Sequence, residues 1–140
     1  MSSAIPTDEE TLARLQPIRS QGIGSVTYHN IISRYENAQN AVSALPDLAK
    51  RAGRRTPFKP ATRESVQREL NQLEKIRGQL IRFGDEDYPV NLGQISDAPP
   101  FLTVLGDISQ LRKPSVGIVG ARNASLNGKK NRQYADRRSI

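Results

Sequence analysis

Apolar positions recur every three or four residues through the first half of the chain and give way to short continuous runs in the second. Leu12, Leu15 and Ile18 keep helical spacing behind Thr7 or Asp8, either of which suits an N-cap, with Glu9 and Glu10 at the positive helix end. Ser20-Gln21-Gly22-Ile23-Gly24-Ser25 interrupts the pattern as a tight connection, after which Val26, Ile31, Ile32 and Tyr35 carry a second apolar face. Two further short helices are expected, at Ala38–Val42 and Leu45–Gly53, with Gly53 as the C-cap of the latter. Residues 54–61 hold two prolines and no periodicity, the pattern of a linker. Thr62 then caps a helix over 63–77 with Val66, Leu70, Leu73 and Ile76 on one face and Gly78 at its close.

Beyond Gly78 the period changes. Residues 79–83 and 101–105 read as strands, separated by the turn Gly84-Asp85-Glu86-Asp87-Tyr88-Pro89 and introduced the second time by Pro99-Pro100. A third run, 115–119, reads as a buried strand of a parallel sheet and ends in Gly120-Ala121-Arg122. Small residues at the carboxyl end of such a strand mark the ligand-binding edge of open α/β sheets. Gly120 lets the backbone turn without a Cβ, and Arg122 offers a fork for an anion. The organisation expected is therefore α/β: a small all-helical, helix-hairpin-helix module at 8–58, an incomplete α/β domain at 62–130, and a basic tail at 131–140. The tail lacks the apolar face of a sheet-covering helix, and reads either as a solvated segment or as the product of a reading-frame change or premature end.

Charge sharpens this picture less than its total suggests. The net charge is +7 over 140 residues, yet residues 1–110 balance 13 basic against 13 acidic side chains. The excess lies in the last 30 residues, with 8 basic side chains and one acid. A more local signal is Lys50, Arg51, Arg54, Arg55, Lys59 and Arg63, with no acid among them, which suits either a phosphate patch or a solvated linker. Cysteine is absent and His29 is the only histidine, which excludes disulfides and argues against thiolate sites, multi-histidine metal sites and histidine triads. No apolar run is long enough to span a membrane, and the acidic amino terminus has no signal-peptide core; together with the missing cysteines this fits a cytoplasmic protein.

Candidate chemistry is correspondingly spare. Gly22-Ile23-Gly24 between two short helices suits a helix-hairpin-helix, whose backbone N–H groups hold a DNA phosphate without reading sequence, or simply a tight turn. Asp85, Glu86 and Asp87 lack a second acidic cluster and read as a polar turn. Tyr88 and Phe101 read as core in preference to base-stacking residues, and His29 as a packing or surface residue. Neither GxGxxG nor GxxxxGK[ST] is present, which argues against a dinucleotide cofactor or a bound triphosphate.

The ordered set of pieces resembles the bacterial DNA-processing protein A family, DprA or Smf. Those pieces are Gly22-Ile23-Gly24, then Phe83-Gly84-Asp85-Glu86-Asp87-Tyr88-Pro89 with Leu92, then Asp97-Ala98-Pro99-Pro100-Phe101-Leu102 and Leu105-Gly106. Val116-Gly117-Ile118-Val119-Gly120-Ala121-Arg122 follows, with Ala124-Ser125 and Gly128. The resemblance implies a SAM-like helical module before a Rossmann-like domain, and a cytoplasmic, non-catalytic protein without cofactor or metal. The implied function is to bind and protect single-stranded DNA and to load RecA during transformation or recombination. Gly120, Ala121 and Arg122 would form part of its DNA pocket, with Ser125 and Gly128 shaping the loop. The remainder of the family's pocket, its homodimer surface and its RecA surface belong to sequence after the equivalent of residue 130, so RecA loading and dimerisation are expected of longer chains. The rivals are an inactive truncated remnant and a fragment of a Rossmann-like nucleotide-binding enzyme, the latter of which a nucleotide-release assay would reveal.

Overall fold

The computed structural model describes residues 8–117, apart from 36, 52 and 54–58, together with residue 119. Its elements are α1 (Glu9–Arg19), α2 (Ser25–Ile32), α3 (Ala38–Arg51), α4 (Arg63–Lys75), β1 (Gln79–Arg82), α5 (Val90–Gly93) and β2 (Phe101–Val104), closed by a 3-10 turn at Ile108–Arg112. A helical module thus precedes a small α/β unit.

The N-caps predicted at Asp8 and Thr62 form. The Asp8 carboxylate accepts the Thr11 N–H at 2.7 Å, and the Thr62 hydroxyl accepts the Ser65 N–H at 3.2 Å. Two cores result from the helical spacing. Leu12 and Leu15 of α1 pack on Val66, Leu70 and Leu73 of α4, with Leu80 of β1 and Phe101 of β2 against them. Ile31 of α2 packs on Ala41 and Leu45 of α3, joined by Ile23, Ile32, Tyr35 and Leu48. Val26, expected on the α2 apolar face, is instead half exposed.

Side-chain links fasten α4 and its approach to α1. Arg19 Nε lies 3.0 and 2.8 Å from the two Glu69 carboxylate oxygens, with Arg19 Nη2 2.7 Å from Oε1. Ahead of α4, the Ala61 N–H donates to the Ser20 hydroxyl at 2.9 Å, and the Gln16 amide donates to the Ala61 carbonyl at 3.1 Å.

Three expectations change. The two helices expected at 38–42 and 45–53 are one, running through Pro46. Pro46 has no N–H to donate to the preceding turn, but Ala38, Ala41, Leu45 and Ala49 form one continuous buried face. Burial along that face outweighs a missing hydrogen bond. Helix α4 ends two residues early: Arg77 takes φ 55°, its N–H reaches the Glu74 carbonyl, and Gly78 N–H reaches the Leu73 carbonyl, both at 2.8 Å. This is a Schellman closure, and it turns Ile76 outward.

The third change concerns the sheet. β1 and β2 pair antiparallel, Gln79 opposite Val104 and Arg82 opposite Phe101. The buried strand expected at 115–119 is not found among the described residues. Positions 115–117 and 119 lie outside any strand, and Val116 and Val119 are 89% and 98% exposed, while Ile118 lies outside the described residues. An apolar run holds strand form where neighbours supply ladder bonds and cover its faces; among the described residues ladder bonds join only β1 and β2.

Candidate nucleic-acid interface

The turn between α1 and α2 is built by Ser20, Gly22 and Gly24. Ser20 ends α1 with its N–H on the Pro17 carbonyl, and its hydroxyl donates to the Gln16 carbonyl at 2.7 Å. Gly22 sits at φ 75°, a conformation that favours glycine. Ile23 then points into the α2–α3 core, which pins the turn from below. Gly24 is the N-cap of α2 in extended backbone, its carbonyl accepting the Tyr28 N–H at 2.9 Å.

No side chain caps this helix, and its first turn holds no acid. The first turn of α2 thus has no side-chain acceptor at the positive end of the helix dipole. Gly24 is exposed, and a Cβ built on it would meet nothing within 4 Å. The arrangement can receive an oxyanion through backbone donors, which is chemistry suited to a phosphate and indifferent to base identity.

The other predicted contacts, Gly120, Ala121, Arg122 and Ser125, lie outside the described residues, as do Arg54 and Arg55 of the basic cluster. Arg63 is paired with Glu9, and Lys50 lies 3.8 Å from Asp47, while Arg51 and Lys59 are exposed. Residues 85–87 form the polar turn expected. Asp85 accepts the Arg82 N–H at 2.8 Å, and Asp87 and Glu86 hold Arg112 at 2.6 and 3.3 Å. The Asp87 hydrogen bond, followed by that from Glu86, raises the Arg112 pKa above its ordinary value. Arg112 borders a groove of about 770 Å³ between residues 88–92 and 111–115. Glu86 and Asp87 pair with its charge there, and Lys113 lines the same groove. Among the described residues no three His, Cys, Asp or Glu side chains gather as a metal site.

Tyr88 is buried, its hydroxyl donating to the Pro99 carbonyl at 2.7 Å, and burial pushes its pKa up. Phe101 packs on the α1–α4 core. His29 is a packing residue with a long reach: Nε2 lies 2.9 Å from the Ala98 carbonyl oxygen. Sequence reasoning did not find that pairing, because 69 positions separate the partners and no local pattern encodes it.

Two family models cover most of the chain. Residues 8–71 match the DprA-like N-terminal HHH domain, and residues 79–138 match the DNA recombination-mediator protein A family. The chain belongs to the DprA/Smf family. Its Gly22–Gly24 turn falls inside the helical DprA match and its β1–β2 unit inside the second. The second match thus names a DNA recombination mediator. Among curated proteins the chain finds no match. No described helix is long and apolar enough to cross a membrane.

Proposed function

We propose that this chain binds single-stranded DNA through the phosphate backbone, without reading sequence, as a non-catalytic recombination mediator of the cytoplasm. The observation that carries the reading is the ordered match to both DprA segments. The uncapped, acid-free start of α2 at Gly24 supports it chemically. The proposed contacts are the turn Gly22, Ile23 and Gly24, which presents the first-turn N–H groups of α2, and the turn Gly120, Ala121 and Arg122 with Ser125. Arg122 supplies a charge-assisted fork to phosphate. The family likeness adds RecA and a second copy of the chain as partners, through sequence that follows residue 130 in longer members.

Fluorescence anisotropy with a labelled oligo-dT, repeated across a salt series, tests the proposal. The wild-type chain should show affinity that falls linearly on a log–log salt plot, and Arg122→Ala should reduce the slope by about one phosphate contact. Gly24→Asp separates function from folding. It adds a side-chain cap and so stabilises α2 by a few tenths of a kcal/mol, about the margin by which such caps exceed glycine, while placing a carboxylate where the phosphate would sit. Weaker DNA binding with an unchanged or higher melting temperature supports the α2 contact. Undiminished binding in both variants defeats the site assignment.

A further inference from the structure

We propose that His29 is a positioning residue that fastens α2 to the α/β unit, so that the orientation of this helix is set jointly by the two DprA segments. The argument starts from how little α2 has of its own. Of its eight residues only Tyr28 and Ile31 are buried. Ile31 faces α3, but the Tyr28 ring meets Phe101 of β2 edge-on, with centroids 6.2 Å apart.

His29 adds a polar link. A carbonyl oxygen only accepts, so Nε2 carries the proton in its 2.9 Å contact with Ala98, whether the ring is neutral or charged. The imidazole also stands edge-on to Phe83 at 4.8 Å, and Phe83 stands edge-on to Tyr88 at 5.4 Å. Tyr88 donates to the Pro99 carbonyl. Adjacent carbonyls of one turn, at Ala98 and Pro99, are therefore held by side chains from different units. The aromatic contacts close a circuit from α2 through residues 83–101 and back to Tyr28.

This inference rests on the DNA reading only for its consequence at Gly24, and the experiment separates the two. Hydrogen–deuterium exchange on the full chain compares wild type with His29→Phe, which keeps a ring without the donor, and His29→Gln, which keeps a donor without the ring. In His29→Phe the amides of α2 and of residues 95–104 should exchange together about tenfold faster, the size of one net hydrogen bond, with α1 and α4 unchanged. His29→Gln should restore most of that protection. Oligo-dT affinity should fall several-fold in His29→Phe and recover in His29→Gln. Faster exchange confined to α2, or identical behaviour of the two variants, overturns the proposal. Absence of DNA binding by the wild-type chain defeats the functional reading, and the exchange pattern then decides the link on its own.

Discussion

At the scale of single residues, Arg77 and Gly78 make opposite demands on the same turn. Arg77 occupies the left-handed region at φ 55°, where a side chain costs energy and glycine does not. Gly78 is required for space: a Cβ there would lie 2.1 Å from Leu73 Cδ1, inside the buried core. Arg77→Gly should therefore stabilise the protein by about 0.5–1 kcal/mol, and Gly78→Ala should destabilise it by about 1–3 kcal/mol. Urea denaturation of the two variants checks both signs. The sequence pattern closes this helix at Gly78. The structure gives the left-handed angle to the arginine before it and gives the glycine the close approach.

Helices and strands were legible where local chemistry decides them. Asp8 and Thr62 announce their helices because a side-chain oxygen satisfies an N–H three residues on. Pro46 misleads because the local rule against proline is overruled by burial of Ala41, Leu45 and Ala49, which belongs to tertiary packing. The strand expected at 115–119 rests on an apolar run whose fate depends on neighbours remote in sequence. The candidate site divides the same way: the Gly22–Gly24 turn is local and readable, and the His29–Ala98 contact is neither. Caps also carry a pH dependence. The Thr11 N–H holds the Asp8 carboxyl below its ordinary value, and the Gln110 and Ser109 donors hold Asp107 at about 2. A carboxyl whose folded pKa is depressed contributes stability above its unfolded pKa of about 3.9 and loses it as pH falls toward the folded value. Helical ellipticity should thus decline as pH falls below about 4. Asp8→Asn, an equally good cap without a titrating group, should flatten the α1 share of that decline.

For the whole molecule, one core spans both family segments, since Leu80 and Phe101 pack on the cluster that unites α1 with α4. Leu70 is 1% exposed at its centre, and Leu70→Ala should cost about 2–5 kcal/mol. Because the core is shared, far-ultraviolet ellipticity and near-ultraviolet tyrosine signals should shift to lower denaturant together. Separated transitions would mean that the helical and sheet units unfold independently. The hydrogen bond from Ala61 to Ser20 gives this architecture a further property. The chain leaves the α1–α4 pair at Ser20 and rejoins it at Ala61, so the two ends of everything between them touch. Residues 21–60 are thereby an excursion from a closed frame, and their length is decoupled from where α4 sits. Doubling such a loop adds only about 0.6 kcal/mol of closure entropy. Residues inserted ahead of Lys59 would therefore leave the frame intact, and the join there tolerates added length better than α2 or α3, which pack on α1 and β2.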